Sequence, residues 1–244
     1  MTKENKRVIL VTGASRGVGK GIAEGLAEPD DIIICAARSL KEGTTVHQFG
    51  FEINSSLEDT VNNINQTGAL GVAYPIDLNC PEEILRLANF IKEEFGRLDL
   101  LVHAACQIHD DLVAPKPYWE KSLDLWSVMD VGLKSNYFLS HALTPLMIAS
   151  KGKLILQISS HGAMCYMHGP IYGAQKAAID KMAFDMAYDL KPFDICSLSL
   201  WSGIVKDEKT QKVSEQHEGQ YAEFLKGAAS QAYAGMVINE IYKD

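Results

Sequence analysis

The sequence lacks long apolar runs, clusters of basic residues and closely spaced cysteines, and each absence excludes a class of protein. No apolar stretch in the 244 residues approaches the roughly 20 that a helix needs to cross a bilayer, so we predict no membrane span. Acidic residues outnumber basic ones by 31 to 23, which gives a net charge of −8. Because this charge is spread along the chain without basic runs, nucleic acid and anionic membranes are poor candidate partners, and a small-molecule substrate fits better.

The cysteines indicate a reducing environment. There are five of them, they lie far apart, and no C-x-x-C pair occurs, which is typical of reduced thiols in an intracellular protein. The chain opens on polar residues that lead directly into a short apolar segment, so we predict a cytoplasmic protein. A hydrophobic content of 47% and a charged content of 22% favour a folded core, and we predict a single domain over residues 1–244.

Short apolar runs typical of buried strands alternate with amphipathic segments typical of helices. The predicted strands cover residues 7–11, 31–37, 71–76, 98–105, 153–158 and 194–200, and the predicted helices cover residues 17–28, 81–95, 119–150, 172–190 and 220–242. This alternation predicts an α/β fold, a doubly wound parallel sheet with helices on both faces and ligands at the carboxyl ends of the strands. We expect an irregular surface loop over residues 38–65, with an amphipathic segment at 57–65, and no recognisable final strand of the sheet after the helical segment 220–242.

A glycine-rich turn stands where the first strand passes into the first helix, in the run Thr12-Gly13-Ala14-Ser15-Arg16-Gly17-Val18-Gly19. Glycine lets the backbone come close to a phosphate, and the free N–H groups at the start of a helix attract anions. The turn therefore predicts a phosphate-binding site, although tight packing of the strand on the helix would also select glycine. A P-loop is excluded, because that pattern needs glycine where Ala14 stands and serine or threonine where Gly21 stands.

The second predicted strand ends in Ala36-Ala37-Arg38-Ser39, without a carboxylate. In a dinucleotide-binding fold a carboxylate at this place pairs with a ribose 2′-hydroxyl, whereas a guanidinium suits a 2′-phosphate. Arg38, together with Arg16 in the glycine turn, therefore favours NADP(H) as the cofactor. Either arginine alone could equally be a solvated surface residue.

Tyr172 and Lys176 stand four residues apart in a predicted helix, so both side chains lie on one face. A phenol with its ordinary pKa of about 10 exchanges protons slowly at neutral pH, and a fixed neighbouring cation stabilises its phenolate. The pair therefore predicts a general acid or base, although the spacing alone also occurs by chance.

Together, the glycine turn at 12–19, Asp77 at the end of the third strand and Tyr172-x-x-x-Lys176 preceded by Ser159-Ser160 resemble the classical short-chain dehydrogenase/reductase family over about residues 5–205. The resemblance implies a single Rossmann-type domain that transfers hydride between NADP(H) and a small-molecule carbonyl or alcohol. It implies that Tyr172 exchanges the proton and that Lys176 binds the ribose hydroxyls and lowers the pKa of the phenol. Either Ser159 or Ser160 would hydrogen-bond the substrate carbonyl, and we favour Ser160.

The resemblance also assigns the cofactor contacts. The implied contacts are Gly13, Ser15, Arg16, Gly17, Val18, Gly19, Arg38, Asp77, Leu78, Ala104, Lys176, Gly203 and Val205. Asp77 and Leu78 occupy the position that contacts the adenine in the family, although Asp77 could instead cap the helix that begins near Pro81.

The chain departs from the family at several positions. The fourth strand runs into His103-Ala104-Ala105-Cys106 in place of Asn-Asn-Ala-Gly, Gly132 stands where the family has an asparagine near a proton-relay water, and Asp207 follows the sixth strand where a threonine is usual. These departures leave open a catalytically weak or inactive protein that binds the cofactor and serves in regulation or as a scaffold. The end of the chain does not resemble the family's tail, which often supports subunit contacts, so the question of a homo-oligomer stays open.

Two further groups of residues are interpreted as packing. His103 and Cys106 have no third ligand at a workable spacing, so no metal site is predicted. The other group lies in the long helical region and is expected to pack against neighbouring helices: Trp119, Trp126, Phe138 and Met147.

Overall fold

A computed structural model describes residues 6–41, 43–46, 52–107, 109–216 and 225–244 of the chain. The chain divides into two compact units, Met1–Pro75 with Ser202–Asp244 as the first and Ile76–Trp201 as the second. No helix in the described ranges is both long enough and apolar enough to span a membrane.

The elements follow one another as strand and helix along most of the chain. The strands are β1 (Val8–Thr12), β2 (Ile32–Ala37), β3 (Gly43–Val46), β4 (Glu52–Ser55), β5 (Leu70–Pro75), β6 (Leu100–His103), β7 (Leu154–Ser159), β8 (Cys196–Trp201), β9 (Val205–Lys206) and β10 (Ala229–Ser230). The helices are α1 (Gly17–Leu26), α2 (Leu57–Asn65), α3 (Pro81–Glu94), α4 (Ser127–Met129), α5 (Ser135–Ser150), α6 (Pro170–Leu190), α7 (Glu208–Gln216) and α8 (Tyr233–Lys243). The six strands predicted from apolar runs are confirmed with ends that differ by one or two residues.

In the first unit, β2 lies between β1 and β5, and all three strands are parallel. Val8 pairs with Ile32 at one end of the β1–β2 ladder and Thr12 with Ala36 at the other. Every residue of β1 and β2 is buried, as the continuous apolar runs predict for strands covered on both faces.

Helix α1 approaches α8 and the two residues before it so closely that only glycine fits at the contact. A Cβ on Gly21 would stand 2.2 Å from the carbonyl oxygen of Gln231, and a Cβ on Gly235 would stand 2.5 Å from that of Ile22. A Cβ on Gly25 would stand 2.3 Å from the carbonyl oxygen of Ala232. The two helices therefore pack through their backbones.

The segment 38–65 is more regular than expected. Strands β3 and β4 form an antiparallel pair in which Gly43 is opposite Ser55 and Val46 is opposite Glu52. The prediction of an irregular loop is therefore wrong for these strands, because short polar strands carry no apolar alternation by which to recognise them. The amphipathic segment at 57–65 is confirmed as α2, and the Ser56 side chain caps it by accepting from the Asp59 N–H at 3.1 Å.

In the second unit, β7 lies between β6 and β8, again with all strands parallel. Leu100 pairs with Leu154, and Leu154 pairs with Cys196. The carboxyl ends of β6 and β7 are His103 and Ser159, so the residues that follow them leave the sheet at the same edge.

The region 119–150 is not one continuous helix. It begins with 3₁₀ turns at Tyr118–Glu120 and Leu123–Trp126, continues through α4 into a π-helical turn at Asp130–Lys134, and only then becomes the regular helix α5. Apolar residues keep helical spacing across these breaks, so periodicity alone cannot show them. The prediction that Trp119 and Trp126 pack internally is wrong, because they are 71% and 61% exposed.

The described part of the region 220–242 contains β10 and most of α8, whereas residues 217–224 lie outside the described residues. The predicted single helix over 220–242 therefore begins later than expected. Strand β10 instead pairs in parallel with β9, where Ala229 is opposite Val205.

Candidate active site

The hydroxyl of Tyr172 lies 3.0 Å from the Oγ of Ser160 in the second unit. Tyr172 stands in the first turn of α6, which begins at Pro170 after Gly169, and Ser160 directly follows β7. The Oγ of Ser160 also accepts a hydrogen bond from the Gly162 N–H at 3.2 Å. A backbone donor therefore orients the serine toward the phenol.

Ser159 has a different environment. It is buried in the last position of β7, and its Oγ donates to the backbone carbonyl of Lys176 at 3.3 Å. The structure therefore brings Ser160 to the phenol, and it makes Ser159 a link between β7 and α6.

The ammonium group of Lys176 lies against the same phenol. Its Nζ is 5.5 Å from the centre of the Tyr172 ring and donates to the carbonyl oxygen of Ile158 at 3.2 Å. Lys176 is only 6% exposed, and burial lowers the pKa of its ammonium. The spacing of four thus places the two side chains together, as the sequence predicts.

Burial also governs the Tyr172 phenol. The ring packs against the buried cluster formed by Leu112, Leu125 and Val128. Burial raises the pKa of Tyr172, and the hydrogen bond with Ser160 opposes this shift. The resemblance implies that Lys176 lowers the pKa of Tyr172, whereas in the protein without cofactor the pKa of Tyr172 is raised.

Lys121 connects the two loops beside the Tyr172 phenol by hydrogen bonds. The Nζ of Lys121 donates to the Leu112 carbonyl oxygen at 3.0 Å and to the His168 carbonyl oxygen at 3.4 Å. The His168 ring also meets the Tyr172 ring edge to face, with centres 5.0 Å apart. The loops before α4 and before α6 are therefore connected next to the candidate proton donor.

His103, which departs from the family pattern, is a buried structural residue. Its Nε2 lies 2.8 Å from the Oγ of Ser140 in α5, and burial lowers its pKa to about 3. The imidazole is therefore neutral at ordinary pH. Ala104 directly follows it, and Cys106 is exposed.

Asp77 and Leu78 also belong to the second unit. The Oδ1 of Asp77 accepts from the Asn79 N–H at 2.9 Å, and the Asp77 N–H donates to Glu83 at 2.7 Å. The capping position of α3 is Cys80, so the alternative interpretation of Asp77 as the helix cap is wrong. Leu78 is buried.

Gly132 lies in the π-helical turn, and sequence reasoning missed the residue that fills its space. A Cβ on Gly132 would stand 2.1 Å from the Nε2 of Gln175, which directly precedes Lys176. The combination of a glycine in the turn with a glutamine in Y-x-x-Q-K is the signal in the sequence that could have revealed this contact.

In the first unit, the glycine turn has the backbone that a phosphate cradle requires. Gly13 and Gly17 take positive φ values of 72° and 55°, which favour glycine. A Cβ on Gly19 would stand 2.3 Å from the Gly13 carbonyl oxygen, so this glycine permits the close turn. Ser15 and Val18 lie in the same turn at the start of α1, where N–H groups have no helical acceptor.

The positive charges of Arg16 and Arg38 repel each other in the first unit. Burial lowers the pKa of Arg16, and the positive charge of Arg38 lowers it further, against the opposing charges of Asp207 and Glu208. The Nη1 of Arg16 is buried and has no hydrogen-bond partner among the described residues. A buried guanidinium nitrogen beside a second cation fits an anionic ligand such as a phosphate.

The residues that follow β8 also belong to the first unit. Gly203 has a positive φ of 66°, and Val205 is buried in β9. The Oδ2 of Asp207 lies 3.1 Å from the position that a Cβ on Gly17 would take, and its Oδ1 accepts from the Thr210 N–H at 2.7 Å. The structure thus places the carboxylate of Asp207 beside the glycine turn.

The chain matches the short chain dehydrogenase family over residues 7–218. It is 34% identical over 208 residues to human dehydrogenase/reductase SDR family member 1, a match that covers 84% of this chain and 62% of that protein. It is 30% identical to the 2-dehydro-3-deoxy-D-gluconate 5-dehydrogenase of Pseudoalteromonas atlantica, covering 87% of this chain and 77% of that protein. The chain thus spans less than two thirds of the length of the human relative.

Solved structures share the fold. The 3-oxoacyl-[acyl-carrier protein] reductase from Brucella melitensis, in complex with NAD, has a TM-score of 0.81 at 20% identity, covering 98% of this chain and 91% of that chain. The L-sorbose reductase from Gluconobacter frateurii, in complex with NADPH and L-sorbose, has a TM-score of 0.78 at 19% identity, covering 96% and 88%. The chain therefore belongs to the short-chain dehydrogenase/reductase family of oxidoreductases and has its Rossmann-type fold of parallel strands flanked by helices.

Proposed function

We propose that the protein is an NADPH-dependent reductase of small-molecule carbonyl compounds, with Tyr172 as the proton donor. The observation that carries this proposal is the contact between the Tyr172 hydroxyl and Ser160 at 3.0 Å, with the Lys176 ammonium against the same ring. A hydroxyl pair beside a buried cation is suited to bind a carbonyl oxygen and to donate a proton to it.

The proposal for NADP(H) rests on Arg16 and Arg38. The two arginines are close enough for their charges to interact, and the buried Nη1 of Arg16 has no hydrogen-bond partner among the described residues. Both features suit the 2′-phosphate. When bound, this cofactor would supply the hydride. The proposed contacts in the first unit are Gly13, Ser15, Arg16, Gly17, Val18, Gly19, Arg38, Gly203 and Val205, and those in the second unit are Asp77, Leu78, Ala104 and Lys176.

Each residue of the proposed donor group has a separate task. The Oγ of Ser160 donates to the substrate carbonyl oxygen and orients it, while the Tyr172 hydroxyl transfers its proton to the same oxygen. Lys176 binds ribose hydroxyls and places a positive charge beside the phenolate that forms. Because this group is intact, we do not propose the alternative of an inactive regulatory protein.

The test is NADPH oxidation by the purified protein against aldehydes, ketones, quinones and steroids, with Tyr172→Phe beside it. The substitution keeps the ring and removes only the hydroxyl group that donates the proton, so we expect turnover to fall by about 10²-fold or more. Tyr188→Phe is the matched control, because Tyr188 is 80% exposed on the same helix. Equal rates for Tyr172→Phe and the unsubstituted protein, or binding of NADPH without turnover of any carbonyl, would contradict the proposal.

A further inference from the structure

Asp207 is a charged residue that the proposed reaction does not use, although it lies beside the proposed phosphate site. Its Oδ2 stands 3.1 Å from the position that a Cβ on Gly17 would take. No other atom of the described residues outside the glycine turn and α1 comes within 4 Å of that position. The space that Gly17 leaves open at the start of α1 therefore faces a carboxylate of the same chain.

The start of α7 fixes the position of this carboxylate. Asp207 directly precedes α7, its Oδ1 accepts from the Thr210 N–H at 2.7 Å, and its own N–H donates to the Thr210 hydroxyl oxygen at 3.2 Å. Reciprocal hydrogen bonds of this kind cap the start of a helix. The Thr210 hydroxyl also donates to the Val205 carbonyl oxygen at 2.6 Å, which connects the cap to β9. The carboxylate beside Gly17 is therefore held in place by the fold.

The charges around the turn favour an anion at this place. Asp207 and Glu208 lie close enough to Arg16 for their charges to interact, and they oppose the positive charge of Arg38. The Oε2 of Glu208 accepts from the Nε2 of Gln231 at 3.2 Å, so the second carboxylate is also held. The free N–H groups at the start of a helix attract carboxylates as well as phosphates. In the protein without cofactor, Asp207 thus supplies negative charge to the turn and to Arg16.

A phosphate and a carboxylate beside Gly17 would repel each other, because both are negative at neutral pH and like charges at one site disfavour binding. We propose that Asp207 is an internal anion of the glycine turn: its carboxylate takes the place beside Gly17 that a phosphate of the cofactor would take, competes with the cofactor and lowers its affinity. The competition should affect NADPH and NADH alike, since both carry the pyrophosphate. This inference rests on the proposed function, because it assumes that the turn binds a nicotinamide cofactor.

The first test is Asp207→Asn in the full chain. The substitution removes the charge and keeps the cap, because the asparagine oxygen still accepts from the Thr210 N–H. Fluorescence titration at low ionic strength should give dissociation constants for NADPH and NADH that are both about tenfold lower than in the unsubstituted protein. Unchanged or weaker binding of the two cofactors by Asp207→Asn would overturn the inference.

Asp30→Asn is the matched control. Asp30 is exposed, belongs to the same unit and lies beyond the other end of α1, and asparagine tolerates its positive φ of 74°. The control removes the same charge at a distance from the glycine turn, so both dissociation constants should stay unchanged. If Asp30→Asn tightens binding as much as Asp207→Asn does, the net charge of the protein is the cause and the inference is wrong.

Asp207→Ser is a second route if Asp207→Asn does not fold. Serine also caps helices by accepting from the N–H three residues later, and its hydroxyl is neutral. The dissociation constants of both cofactors should fall as they do for Asp207→Asn. Binding no tighter than that of the unsubstituted protein would again contradict the competition.

Inorganic pyrophosphate separates this inference from the proposed function, because it has the phosphates without the nicotinamide. A ligand that binds the folded state raises the melting temperature according to its affinity. Pyrophosphate should raise the melting temperature of Asp207→Asn more than that of the unsubstituted protein or of Asp30→Asn. Equal shifts in the three proteins, or no shift in any of them, would overturn the inference. The expected shifts together with no carbonyl turnover by NADPH would refute the proposed function and support the role of Asp207.

Discussion

Ser160 and Tyr172 share a hydrogen bond of 3.0 Å, whereas Ser159, the neighbouring residue, turns its Oγ to the backbone of Lys176. Consecutive residues at the end of a strand point to opposite faces, so only one of the two serines can reach the phenol. The sequence leaves both serines as candidates, and the direction of each side chain distinguishes them.

Replacement of each serine should therefore have a different effect. Ser160→Ala removes a donor to the substrate oxygen and should lower kcat/KM by about 10²-fold. Ser159→Ala should leave kcat/KM nearly unchanged and lower the free energy of unfolding by about 1 kcal/mol, because one buried hydrogen bond is lost. Steady-state kinetics and denaturant unfolding of both variants check the prediction, and a larger kinetic effect for Ser159→Ala would contradict it.

The raised pKa of Tyr172 predicts how the reduction depends on pH. The phenol must carry its proton to donate it, and burial raises its pKa above the ordinary value. Reduction should therefore continue at alkaline pH until the phenol ionises, above about pH 10. The same shift stabilises the fold below the pKa of the unfolded phenol, and this contribution is lost as the pH rises through the folded pKa. In the cofactor-free protein, a Tyr172-dependent ionisation midpoint below 10 would disprove the prediction.

His103 should make the protein sensitive to acid. Its pKa falls from 6.5 in the unfolded chain to about 3 in the fold, so its contribution to stability is present above pH 6.5 and is lost as the pH falls toward 3. At pH 5 the loss is about 2 kcal/mol. The free energy of unfolding of His103→Asn should differ less between pH 7.5 and pH 5 than that of the unsubstituted protein.

His141→Asn is the control for this prediction, because His141 lies exposed on α5. It should keep the full acid sensitivity. The same pH dependence in His103→Asn and in the unsubstituted protein would show that other groups cause the acid response.

Arg38→Ala should separate the two nicotinamide cofactors. A lost charge-assisted hydrogen bond to the 2′-phosphate weakens NADPH binding by about tenfold or more, whereas NADH, which lacks this phosphate, should bind as before. Fluorescence titration of both cofactors measures the two dissociation constants. Arg86→Ala is the control, because its exposed guanidinium on α3 pairs with Glu83 on the same helix. Equal weakening of NADH and NADPH binding by Arg38→Ala would count against the proposed phosphate contact.

Much of the fold follows from the sequence because the strands of a parallel sheet are buried on both faces. The apolar runs of β1 and β2 indicate strands without information about the rest of the chain. The glycine turn between β1 and α1 is also recognisable, because its backbone conformation requires glycine. The hairpin of β3 and β4 and the 3₁₀ turns before α4 carry no such local signal. Their conformation depends on tertiary contacts, which no single window of sequence contains.

The candidate site likewise has one part that the sequence predicts and one part that it does not. The contact between Tyr172 and Lys176 follows from helical spacing, so it is visible in the sequence. The buried position of Gln175 depends on the absence of a side chain at Gly132, which lies on a different helical segment. That relation appears only when the two segments are seen packed.

The backbone contact between α1 and α8 restricts how this protein can be engineered. Gly21, Gly25 and Gly235 lie at a contact that has no room for even a methyl group. A combinatorial library intended to broaden substrate range should leave these three codons untouched, because variation there would fill the library with unfolded members before any pocket is altered.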